Sequence, residues 1–191
     1  MNFCPPHSYE VVTPPTTEPV SVAECKAAAR VDWDEEDSVI EQYIREAREA
    51  VEIDASMCLM TQTLRLNLDW LPSLVELRRY PVQSLTFGYT DTSGNSQTLS
   101  ASDYITDFTS FPPRIVPAYG VAWPTVREQP KSVRITFVAG YTSALLVPPS
   151  AKQAILLSVA KRIREREGLG DEDYQRAYDS CVNRLRRFNM V

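Results

Sequence analysis

The residue types that usually carry catalysis are scarce in this chain of 191 residues. Its one histidine, His7, sits in a Pro-flanked segment, so a Ser-His-Asp or Cys-His device would have to be built on that single imidazole. The signatures G-x-S-x-G, H-E-x-x-H and G-x-x-x-x-G-K-[ST] do not occur. The four cysteines, Cys4, Cys25, Cys58 and Cys181, are widely spaced with no C-x-x-C pair, and one histidine leaves a zinc site short of ligands. They read as reduced thiols, three of them on helices; pairing is not determined by the spacing. Gly168-Leu169-Gly170 opens like a dinucleotide fingerprint, but it follows a helical pattern and its third glycine position is Asp173. Asp32 to Asp37 is dense in carboxylates like a calcium loop, yet the sixth position is Asp37 where glycine is needed and the twelfth is Tyr43 where glutamate is needed. An acidic helix start explains it, because carboxylates favour the first turn. No enzyme, metal site or cofactor site is expected.

The elements that position these residues fall into three blocks. Residues 1–19, rich in Pro and Thr, read as an extended arm. Ser21 and Glu24 make a capping box for a first helix to about Arg30. A second helix is expected from about Asp34 to Ala55, with Ile40, Tyr43, Ile44, Ala47 and Val51 on its buried face. Glu41, Arg45, Glu46, Arg48, Glu49 and Glu52 then form a solvated face. From Thr61 the period becomes two: Leu64, Leu66, Leu68 and Trp70 alternate with polar residues. Further strands are read at Leu74–Leu77, Leu85–Tyr89, Ser96–Leu99, Tyr104–Asp107, Arg114–Val116 and Val133–Phe137, with a turn over Asp91–Asn95. Helical signals return at Ser150, taken as N-cap, and run to about Glu167; a last helix starts near Asp171, with Tyr174, Tyr178, Cys181, Leu185 and Phe188 as its seam. The fold class is α+β: a helical bundle from the N- and C-terminal helices with an inserted antiparallel β-sheet region. The divisions are 1–19 arm, 20–60 helical hairpin, 61–141 β-rich insertion and 147–191 C-terminal helices and tail.

Composition is that of a globular protein, with 43% hydrophobic and 24% charged residues. Its short apolar runs cannot cross a bilayer, and MNFCPPHSYE has no basic n-region joined to an apolar h-region, so neither a membrane span nor a secretory signal is expected. Charge is uneven. Residues 1–60 hold 4 basic and 13 acidic side chains, net −9; residues 61–150 are net +1 and 151–191 net +3, giving −5 for the chain. Such a balance argues against tight phosphate binding and suits head-to-tail or layered assembly of copies.

Several segments in order resemble the head–tail connector (adaptor) proteins of tailed bacteriophages. They are VVTPPTTEPVSVAECKAAARVD from Val11, EDSVIEQYIREAREAVE from Glu36, TQTLRLNLD from Thr61, RIVPAYGVAWP from Arg114, SVRITFVAGY from Ser132 and VPPSAKQAILLSVAKRIRERE from Val147. The stretch runs from Val11 to Glu167. Two departures stand out: Asp54-Ala55-Ser56-Met57 replaces a Gly-containing turn after the second helix, and Lys161-Arg162-Ile163-Arg164 replaces aromatic residues late in the third. The resemblance implies a ring, typically of twelve subunits, beneath the portal at the neck of the virion, assembled in the bacterial host cytoplasm. The ring extends the channel for double-stranded DNA, without sequence-specific binding, and is the platform for stopper or tail proteins. It also implies that the C-terminal segment docks into the portal, which assigns Arg184, Arg186, Arg187, Phe188 and Met190 to that contact. Glu46, Glu49 and Glu52 are candidates for an acidic channel wall that repels phosphate. A second expectation, from another class, is a β-type ligand-binding module with helical supports that recognises a host-surface ligand through Trp70, Tyr119 and Trp123.

Overall fold

The computed structural model describes residues 7–32, 37–166 and 172–188. The chain divides into two units, a β unit (Met1–Pro15 and Thr61–Gly140) and a helical unit (Thr16–Met60 and Tyr141–Val191).

In the β unit, β1 (His7–Thr13), β2 (Gln62–Leu68), β4 (Val82–Thr90), β5 (Ser96–Thr98) and β8 (Val133–Ala139) form an antiparallel sheet in the order β1-β2-β8-β4-β5. A second sheet has the order β3-β7-β6, from Val75–Glu76, Arg114–Pro117 and Tyr104–Asp107. The alternation read in the sequence sets the register. Leu64, Leu66 and Leu68 lie opposite Phe137, Ile135 and Val133, while Leu85 and Phe87 flank Phe137 and Ile135 from the other side. A period-two strand puts these residues on one face, and Leu66, Phe87, Val133, Ile135 and Phe137 are all buried.

The first and last strands of the insertion, β2 and β8, are neighbours, so Gln62 faces Ala139 and the chain leaves the β unit where it entered. That closure lets some eighty residues sit between two helices without separating them. The Pro- and Thr-rich lead, read as an arm, is extended over His7–Thr13 and takes the edge of the sheet against β2. Tyr9 fixes it: its ring meets Phe137 edge-on at 6.3 Å and its hydroxyl accepts from Arg78 N at 2.8 Å.

The helical unit contains α1 (Val22–Ala29), α2 (Asp37–Ala55), α3 (Pro149–Arg166) and α4 (Glu172–Phe188). The capping box at α1 forms as read: Glu24 N donates to Ser21 Oγ and Ser21 N donates to Glu24 Oε2 at 2.7 Å. α3 begins one residue before the expected cap, because Pro149 occupies the first helical position, where its missing N–H costs nothing; Ser150 lies inside the turn. In the turn after α2, named above as a departure from a Gly-containing turn, Ser56 takes the left-handed conformation (φ 54°). Ser56 N donates to Ile53 O and Met57 N to Glu52 O, the paired bonds of a Schellman cap. Arg30 closes α1 in the same way, with φ 60°.

Helix directions follow from side-chain pairs. Glu46 of α2 meets Arg162 of α3, and Tyr178 of α4 reaches Asp54 of α2. Lys161 of α3 meets Gln175 of α4. α2 and α4 therefore run in the same direction, and Arg164 over the Tyr174 ring, with Lys161 against Gln175, sets α3 antiparallel to α4.

Candidate functional site

α4 carries four of the five residues assigned to docking, Arg184, Arg186, Arg187 and Phe188. Its inner side seats Val182 and Leu185, which are buried, with Cys181 half-buried. Tyr178 Oη donates to Asp54 Oδ2 at 2.7 Å, and burial, reinforced by that bond, raises the phenol above its ordinary range. Arg186 Nε donates to the Asp54 carbonyl at 2.6 Å. A helix C-terminus attracts a cation, and here the arginine of α4 answers the carbonyl end of α2. Arg184 and Arg186 are both exposed. The side chains of Arg187 and Phe188, and Met190 altogether, lie outside the described residues.

The three glutamates assigned to a channel wall are not equivalent. Glu49 is exposed. Glu46 is half-buried and accepts from Gln42 and Arg162. Glu52 is only 8% exposed and serves the fold. It accepts from Arg48 Nη1 at 3.0 Å and from Leu59 N at 2.7 Å, so its carboxylate cannot face passing DNA. Arg48 is 5% exposed, and its Nε donates to Glu18 Oε2 at 2.8 Å. This corrects the solvated face expected for α2 at Arg48 and Glu52 only; Glu41, Arg45 and Glu49 are exposed and Glu46 is half-buried. The spacing contained the signal: Arg48 and Glu52 continue the row Ile40, Ile44 at intervals of four, and that row is the buried one. Together Glu18, Arg48, Glu52 and the Leu59 amide tie the lead into α1, the middle of α2 and the exit from α2. With Glu49 Oε1 also 3.6 Å from Arg48 Nη2, a buried cation among three carboxylates, one of which takes a backbone donor, leaves little unsatisfied.

Along α2, α3 and α4 runs a groove of about 650 Å³. Tyr43, Ala50, Leu157, Tyr174 and Tyr178 supply its apolar surface. The charges on its rim are answered within the chain: Lys161 meets Glu165 at 3.7 Å, and Arg162 meets Glu46 while lying 5.5 Å over the Tyr43 ring. The arginines in place of late aromatic residues therefore act through cation–π contacts; Arg164 likewise covers Tyr174 at 5.5 Å.

The aromatic trio expected of a ligand-binding face is divided in role. Trp123 stacks on Phe87 at 5.4 Å, so one of its faces is spent on packing. Trp70 is 39% exposed, and Tyr119 stands fully exposed beside Gly120 (φ 76°). Cys25, Cys58 and Cys181 form no disulfide with one another; Cys58 lies in the link after α2, not on a helix as expected, and Cys4 is outside the described residues. Burial, aided by Glu24, pushes the Cys25 thiol up to about 12, which suits a packed side chain and not a nucleophile. Among the described residues there is no cluster that could hold a metal ion, and no helix is long and apolar enough to cross a membrane.

No protein-family model and no curated protein matches the chain. Solved structures do. A chain in the neck of an empty GTA particle computed with C6 symmetry superposes with a TM-score of 0.77 at 23% identity, covering 94% of this chain and 95% of that one. A chain in the virion of the native gene transfer agent (GTA) particle gives 0.77 at 23% identity, over 93% and 94% of the two chains. A chain in the neck of the native GTA particle computed with C12 symmetry gives 0.67 at 24% identity, over 92% and 94%. The α+β arrangement built above is thus the fold of chains found in gene transfer agent necks, shared over more than nine-tenths of this sequence.

Proposed function

We propose that this chain is a structural head–tail connector of a tailed, phage-like particle. Twelve copies form a ring beneath the portal, continue the DNA channel and present the surface on which stopper or tail proteins assemble. The observation that carries the reading is the end-to-end likeness to chains of particle necks, one of them in a neck computed with C12 symmetry. The chemistry agrees with it: histidine-based catalysis has one imidazole to draw on, and the thiol of Cys25 is held protonated. In this reading the end of α4 enters the portal, with Arg184 and Arg186 and the following Arg187, Phe188 and Met190 as its contacts, since arginine, aromatic and Met side chains are common anchors at interfaces. Glu49, with Glu46 beside it, is the candidate for the channel wall, where fixed negative charge keeps phosphate from adhering.

Electron microscopy of the purified protein mixed with its cognate portal tests the proposal. An added ring of density below the portal is the expected result; portals that stay bare at saturating protein would overturn it.

A further inference from the structure

The helical unit carries a rigid apolar knob and a groove that suits it. The knob is the turn Ala144–Leu146. Ser143 caps it, accepting from Leu145 N at 3.2 Å, and Leu146 N donates to Ser143 O at 3.0 Å. Val147 behind it is buried, and Pro148-Pro149 join it directly to α3. Yet Leu145 is 90% exposed and Leu146 61%. Two leucines held in water by a capped turn and two prolines are preorganised for burial: docking them orders little that is not already ordered.

The groove along α2, α3 and α4 lies toward the opposite end of α3, lined by Leu157 and by Tyr174 and Tyr178 of α4. Leu157 is eight residues along α3 from its first position, a rise of about 12 Å. A turn anchored by two prolines at the start of that helix cannot fold back into it. The groove's rim charges are already paired within the chain, so a charged occupant would have to break Lys161–Glu165 or Arg162–Glu46 to gain a partner. A neutral apolar occupant need break neither ion pair. The segment from Ile135 to Ala151 contains no charged residue at all.

We propose that Leu145 and Leu146 of one copy insert into the Tyr43–Ala50–Leu157–Tyr178 groove of the next, and that this head-to-tail contact joins the subunits. Two different patches meet, so the contact is heterologous and propagates until a ring closes. The proposal rests on the connector reading and supplies its subunit interface.

Sedimentation velocity of the full-length protein, from micromolar to near-millimolar concentration, tests it. Two variants block opposite halves: Leu145→Asp with Leu146→Asp removes the knob, and Ala50→Arg, at an exposed helical position, fills the groove. Wild type should grow beyond a dimer, each variant should weaken association about tenfold or more, and an equimolar mixture of the two should stop at dimers, because one intact knob and one intact groove remain. Far-UV circular dichroism checks that each variant is folded; Ala50→Arg alone still decides the matter if the double variant is not. Variants that associate like wild type, a mixture without dimers, or a wild type monomeric throughout would each sink the interface. If wild type still adds a ring to the portal in such a case, the connector reading stands and only the interface fails.

Discussion

Arg48 and Glu52 lie one turn apart on α2 and form an ion pair of 3.0 Å inside the helical unit, with Glu18 on the other side of the guanidinium at 2.8 Å. The pair joins three stretches of chain, since Glu52 also receives the Leu59 amide at 2.7 Å. Truncating Arg48→Ala strands a buried carboxylate and should cost about 3 kcal/mol. Glu52→Gln keeps an acceptor for Leu59 and should cost less. Urea denaturation of both variants orders them; an Arg48→Ala midpoint equal to wild type contradicts the role given to the network.

Ser56 occupies a left-handed position that an L side chain enters at a cost, while its two backbone bonds close α2. Ser56→Gly should raise stability by about 0.5 kcal/mol, the relief at φ 54° exceeding the extra freedom glycine gains when unfolded. The same denaturation curves measure it.

The α1 capping box makes the reverse prediction. Ser21→Ala removes the acceptor of Glu24 N and should cost about 1 kcal/mol. Hydrogen exchange should place the loss in the first turn of α1, with α3 unaffected.

Alkaline pH weakens the fold through Cys25. Its thiol is raised to about 12 in the folded chain, against 9.0 ordinarily. The unfolded chain therefore loses this proton first, and the stability it carries is complete below about pH 9 and drains away as pH climbs toward 12. Denaturation midpoints between pH 8 and 11 should fall less steeply for Cys25→Ala than for wild type. The comparison is of slopes, so a constant cost of the lost sulfur does not disturb it.

Docking by α4 is tested by loading. Subunits lacking residues 187–191, which keep the buried Leu185 and the Arg186–Asp54 bond, should fold and fail to join portal-bearing heads, and Arg184→Glu, which also keeps Leu185, should join them poorly. Normal loading by both removes α4 from the portal contact.

The sequence alone determined most local structure. Strict alternation in Leu64–Leu68 and Val133–Phe137 names the strands and their inner faces, because a strand turns successive side chains to opposite sides. Ser21 with Glu24 names a helix start, because the bonds it needs lie three residues apart. The row Ile40, Ile44, Arg48, Glu52 also held the buried network, though charge made it read as surface. Other features exist only in three dimensions. That β2 and β8, separated by 64 residues between their ends, lie side by side depends on pairing energies summed over a whole sheet. The place of β1 depends on the open edge of β2, which no pattern within His7–Thr13 announces. Exposure likewise belongs to the tertiary structure. Leu145 and Val147 are both apolar and two positions apart, yet one is 90% exposed and the other 2%, because the capped turn aims them in different directions and neighbouring elements cover only one.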